Sequence, residues 1–88
     1  MITPKTALII QVVDDSENPI MGKEVARIAS KFIPTTVGDM RYIVRNGYVD
    51  RKPSTKDRIG GYAVTEKGAQ ALLDFERTVK SFLDNPTH

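Results

Sequence analysis

Residues 22–51 read GKEVARIASKFIPTTVGDMRYIVRNGYVDR, and two short helical patterns stand in this stretch on either side of a break. In the first, residues 22–30, Val25, Ile28 and Ala29 fall at i, i+3 and i+4 on one face, and Lys23, Glu24 and Arg27 are left for water. Pro34 disfavours helical geometry at Ile33, so this helix must end before it. Thr35 or Thr36 then caps a second helix, expected over residues 35–46, and Asn46-Gly47 supplies the left-handed residue that closes it. At 100° per residue, Val37, Met40, Ile43 and Val44 gather on one side. Thr35, Gly38, Tyr42, Arg45 and, at its edge, Arg41 lie on the other. A helix with an apolar stripe inward and Thr, Tyr and two Arg outward follows another helix after a turn of about five residues.

Working toward the C-terminus, residues 48–52 alternate as a strand, and 53–58 carry loop chemistry. Gly60-Gly61 permits a sharp turn, and residues 61–64 read as the returning strand of a long-looped hairpin. Thr65 caps a final helix over about 65–84, with Glu66 in its first turn, where the helix dipole favours an acid. Toward the N-terminus, Thr3 can cap a helix that has Pro4 at its first position. Ala7, Leu8, Ile9, Ile10, Val12 and Val13 fill most of that helix's circumference, so it is expected to be buried on several sides. A buried strand is the alternative for this β-branched run. An acidic, polar turn at residues 14–19 leads to Ile20-Met21, long enough only for a small extended piece.

The expected order is helix, short strand, helix, helix, strand, loop, strand, helix: a mainly helical α+β chain whose 88 residues leave room for one domain. Two helices about a tight turn (22–46) followed by a basic hairpin (48–64) and a helix (65–84) describe a winged helix-turn-helix over residues 1–88. Charge agrees with that arrangement. Net charge is only +2, but residues 41–58 hold Arg41, Arg45, Arg51, Lys52, Lys56 and Arg58 against Asp50 and Asp57, and both flanking segments are net acidic. A cationic window on a nearly neutral body is the footprint of an anionic partner, most often nucleic acid. A solvated surface with acids close in space is the alternative.

Composition narrows the chemistry further. With no cysteine, thiol nucleophiles, disulfides and cysteine zinc sites are excluded, and the one histidine is His88, on a tail expected to fray. No metal, no cofactor and no catalysis are expected: Asp14, Asp15 and Glu17 lie in a turn without a partnering base or an apolar pocket. The longest uninterrupted apolar run, residues 7–10, is far too short to cross a bilayer, and no signal-peptide pattern opens the chain. A cytoplasmic, nucleoid-associated location is expected.

The stretch 22–51 resembles the helix-turn-helix of MarR-type and related bacterial winged-helix regulators, in a small apolar helix, a Thr36-Val37 opening of the next, and a close on Gly47-Tyr48-Val49 with Ile43 four residues before the glycine. KDRIGGYAVTEKG, residues 56–68, is similar to that family's wing and the start of its following helix, in Asp57-Arg58 and then Val64-Thr65-Glu66-Lys67-Gly68. The resemblance covers about residues 20–75, and small phage, plasmid or archaeal transcription factors match comparably. It implies a prokaryotic or phage DNA-binding transcription regulator, with Asp57 pairing a neighbouring base to fix the hairpin. Ile59 stands where many relatives carry another arginine, the wing is a residue shorter, and the long flanking helices of MarR-type proteins have no counterpart. Ligand sensing is therefore not carried over.

Sequence-specific binding to double-stranded DNA is thus the first expectation. The helix at 35–46 would enter the major groove, and the wing at 51–58 would lie on phosphates or in the minor groove. The residues expected at the interface are Thr35, Thr36, Gly38, Arg41, Tyr42, Arg45, Arg51, Lys52, Lys56 and Arg58. Thr35 and Thr36 are foremost caps, Asp39 a capping or orienting group, and Tyr42 equally a packed aromatic at the helix–wing junction. A homodimer is expected through Leu8, Ile9, Val12, Leu72, Phe75, Val79 and Phe82, reading a pseudo-palindrome; packing of the first and last helices within one monomer is the alternative. The competing function is a winged-helix adaptor or inhibitor that binds protein and not DNA.

Overall fold

A computed structural model describes residues 1–16 and 19–85. The elements are α1 (Pro4–Asp14), α2 (Gly22–Ala29), α3 (Val37–Arg45), β1 (Val49–Lys52), β2 (Gly61–Val64) and α4 (Glu66–Asp84). The fold is mainly helical α+β, with four helices and one antiparallel hairpin among the described residues. The expected acidic turn lies partly outside them, at Glu17 and Asn18, as does the tail 86–88 with His88.

Caps set the element boundaries. Thr3 accepts the Thr6 N–H at 3.2 Å with Pro4 behind it, and the run that a strand competed for is helical. At α3 the cap is Thr36, not Thr35, and the helix starts at Val37. The Thr36 N–H donates to Asp39 Oδ2 at 2.8 Å, the carboxylate arm of a capping box. Its far end is a Schellman motif: Tyr48 N–H reaches Ile43 O at 3.1 Å, Gly47 N–H reaches Val44 O at 3.0 Å, and Gly47 takes φ +76°. Thr65 then caps α4, accepting from Gly68 N–H at 3.0 Å while donating to Gly47 O at 2.6 Å.

The hairpin pairs Val49 with Val64, Asp50 with Ala63, Arg51 with Tyr62 and Lys52 with Gly61. The short strand expected at Ile20-Met21 is a single bridge instead, Ile20 exchanging hydrogen bonds of 3.1 and 2.8 Å with Tyr62. Its neighbours explain why it goes no further. Pro19 has no N–H to donate, and the Met21 carbonyl already accepts from Glu24 and Val25 as the start of α2. Gly61 is required beside this bridge, since a Cβ there would lie 2.5 Å from the Ile20 backbone.

α1 runs through the middle of the molecule. Ile9 and Val13 join Val25 and Ala29 of α2, Met40 and Ile43 of α3, and Val49 of β1 in the main core. Ala7 and Ile10, on another side of α1, meet Leu72 of α4 in a second cluster edged by Ile2, Tyr48 and Phe75. Burying each large side chain stabilises by roughly 1.5–3 kcal/mol. This arrangement corrects the expected dimer surface. Ile9 is 1% exposed and Leu72 8%, so both are taken up by the chain's own core, and the half-buried Leu8, Val12 and Phe75 pack against it. α1 is apolar over most of its circumference because α2, α3, α4 and the hairpin pack on several of its sides. What remains open is the far end of α4. Every described residue from 76 onward is exposed, Val79, Phe82 and Leu83 included, and the molecule measures 54 × 25 × 22 Å.

Candidate functional site

α3 presents its outer side to solvent, as its sequence pattern requires. Met40 and Ile43 point into the core, while Gly38, Arg41 and Arg45 are exposed and Tyr42 is 56% exposed. Val37 departs from its expected core position: it is 51% exposed. It occupies the first turn of α3, beyond the edge of the core, and turns toward the hairpin. Gly38 faces open space, its notional Cβ meeting only Thr36 Oγ1 at 3.4 Å. The first turn of α3 therefore leaves its backbone open to approach at Gly38.

Strand alternation brings Arg51 of the hairpin beside this helix. Val49 faces the core, so Arg51, two residues on, shares that side, above its cross-strand partner Tyr62. The Arg51 guanidinium stands 5.9 Å from the centre of the Tyr62 ring, within cation–π range. Arg41, Arg51 and Lys52 border one groove between α3, the loop end of the hairpin strands and the first turn of α2. Lys23 of α2 borders it too. The sequence pattern assigned Lys23 only to solvent; nothing local shows that α2 starts against the hairpin.

Lys56 and Arg58 are placed elsewhere. They border a second depression on the other side of the hairpin tip, with Ile20, Met21 and Glu24. The tip is held by hydroxyls: Thr55 Oγ1 accepts the Arg58 N–H at 3.2 Å, Ser54 Oγ accepts the Gly60 N–H at 3.0 Å, and Thr55 N–H donates to Arg58 O at 2.9 Å. Among the described residues Asp57 makes no ion pair, so the pairing implied by the family resemblance is not what fixes this hairpin. Tyr42 likewise is not packed at the junction of α3 and the hairpin. It borders a shallow depression on the opposite flank of α3, with Ile2, Thr3, Tyr48 and Lys67.

The two threonines work locally. Thr35 lies in the turn, not on the helix: its N–H donates to Ser30 Oγ at 3.2 Å, and its own hydroxyl donates to Ile33 O at 2.7 Å. Thr36 is the cap. Asp39 does not orient Arg41 or Arg45; it pairs with Lys5 of α1 at 3.0 Å. The Thr36 backbone N–H and then the Lys5 ammonium hold the Asp39 carboxyl below its ordinary range. Lys5 went unread in the sequence, because a partner 34 positions away leaves no spacing signal. The other ion pair among the described residues joins Glu24 and Arg27 within α2. Arg41, Arg45, Arg51, Lys52, Lys56, Arg58 and Lys23 pair with no carboxylate there.

No family model matches the chain, and no curated protein matches it. Among solved structures, a protein of unknown function from Listeria innocua Clip11262 superposes over 90% of this chain with a TM-score of 0.67 and 24% identity. The chain spans 54% of that protein's length, and the likeness is one of fold. It fits the helical α+β architecture and is compatible with a winged helix.

Proposed function

We propose that the chain is a winged helix-turn-helix module that binds double-stranded DNA, with α3 in the major groove and the hairpin on the adjoining backbone. The observation that carries this reading is the set of cations, unpaired among the described residues, that α2, α3 and the loop end of β1 present around one groove. The absence of a side chain at Gly38 in the first turn of α3 supports it: a helix enters the major groove with its N-terminal residues against base edges. Gly38 leaves the helix backbone open to approach, and Arg45 follows on the outer side within two turns. Regulation of transcription by occupying an operator is the role such a module would serve.

A homodimer is part of the same proposal, through a smaller surface than the sequence alone indicates. Its contact is the projecting end of α4, where Val79, Phe82 and Leu83 are exposed. Selection of bound sequences from a random duplex pool tests both points. A consensus with two inverted half-sites about one DNA turn apart is expected. Failure of the protein to retain any duplex at low salt overturns the DNA reading and leaves the protein-binding adaptor, a reading that exposed Phe32 in the turn between α2 and α3 favours.

A further inference from the structure

The basic residues of the hairpin do not form one patch, and the division has a consequence. The groove between α2, α3 and the loop end of the hairpin strands is bordered by Lys23, Arg41, Arg51 and Lys52, and Val37 and Tyr62 also line it; among the described residues no carboxylate does. These four cations come from three elements that are distant in sequence, α2, α3 and β1, and converge only because Ile20 bridges to Tyr62 and draws the start of α2 against the hairpin. A notional Cβ on Gly22 would lie 3.2 Å from the Tyr62 ring, which shows how closely the two elements approach. Lys56 and Arg58 border a separate depression, which contains Glu24.

An open groove with a cationic rim and apolar side chains in its lining suits a chain of phosphodiesters, whose anionic oxygens alternate with the apolar faces of deoxyribose. Resting on the DNA reading above, we propose that this groove seats one sugar–phosphate backbone of the duplex and that Lys23 is a phosphate-gripping residue. Lys56 and Arg58 make a second, separable contact. Lys23 carries the test, because it lies on neither of the two elements that sequence reasoning assigns to DNA.

The experiment is fluorescence anisotropy with a mixed-sequence 20-base-pair duplex, titrated across a series of salt concentrations. Each phosphate contact contributes about 0.9 to the slope of log affinity against log salt, which corresponds to about eightfold in affinity at 0.1 M. Lys23→Ala is expected to make the slope less negative by about 0.9 and to weaken binding about eightfold. Lys23→Arg is expected to restore both, and Lys80→Ala on the far part of α4 to change neither. The thermal midpoints of all three should match the parent protein, since both lysines are exposed. If Lys23→Ala and Arg51→Ala both leave slope and affinity unchanged while Arg58→Ala makes the slope less negative and weakens binding, the groove is not a backbone seat and the inference falls, with DNA binding intact. If the parent protein retains no duplex at 50 mM salt, the inference falls together with the DNA reading.

Discussion

At Gly68 one hydrogen atom decides how the last helix docks. A Cβ at this position would stand 2.1 Å from the Tyr48 carbonyl oxygen and 3.0 Å from Val64 Cγ1, so α4 can approach the α3–β1 junction only with glycine there. Gly68→Ala is expected to destabilise by about 2–3 kcal/mol, at the upper end of the usual cost of overpacking, because the obstacle is backbone and cannot rotate away. In a domain this size that lowers the thermal midpoint by about 8–24 °C, at roughly 4–8 °C per kcal/mol, which calorimetry would show; an unchanged midpoint would mean that α4 docks differently. Asp39 offers a second test at this scale. Its carboxyl binds protons less readily in the folded chain than in the unfolded chain, so its contribution to stability is fully present above the ordinary aspartate value of about 3.9 and is lost as pH falls through the lowered folded value. The urea midpoint should therefore stay level near neutrality and decline in acid, and Asp39→Asn should lessen the acid decline. These residues also mark how far a sequence can be read. Thr3, Thr65 and Gly47 were legible because a cap and its partner lie within five residues of each other. Lys5 with Asp39, and Lys23 beside Arg51, were not, because their neighbours arrive from distant parts of the chain.

Among the elements, α4 is two things in succession. Its first half is bound to the body through Thr65, Gly68 and Leu72, and Lys67 adds a donor, its ammonium reaching Asn46 O at 2.7 Å over the Tyr48 ring. Thr65→Ala removes both the cap of α4 and the hydrogen bond to Gly47 O, and should cost about 1–2 kcal/mol in chemical denaturation. Its second half touches nothing described, yet Leu72, Phe75, Val79 and Phe82 keep the 3-4-3 spacing of a coiled-coil seam across both halves. Phe82, 60% exposed, is not needed by the monomer's core. Phe82→Glu is thus expected to leave the thermal midpoint of the domain body close to that of the parent while shifting sedimentation from dimer to monomer. A parent protein that sediments as a monomer at 100 µM would remove the dimer. The periodicity of α4 was readable in advance, but where the seam leaves the body was not. A hydrophobic stripe does not state which of its residues meet the same chain, and the core turned out to absorb Ile9 and Leu72.

For the whole molecule, the distribution of charge links oligomeric state to binding. The order of the four helices and the two strands of the hairpin follow patterns internal to each segment, and the sequence conveyed them closely, apart from the short strand at Ile20-Met21. The shape of the charged face depends on how α2, α3 and the hairpin meet, which the cationic window at residues 41–58 does not state. The total remains usable. If Arg41, Arg45, Arg51, Lys52, Lys56 and Arg58 of one subunit each neutralise a phosphate, log affinity should fall against log salt with a slope near −5, from about 0.9 per contact. Two subunits clasping one duplex should double that, to about −10 or −11 for the complex, since each releases its own counterions. Phe82→Glu, which alters no residue on the charged face, should then return the slope to about −5 and reduce affinity steeply, because the second subunit no longer binds as part of the same particle. Equal slopes for the parent and for Phe82→Glu would show that one subunit alone makes the contact, and α4 would then be left without a part in holding DNA.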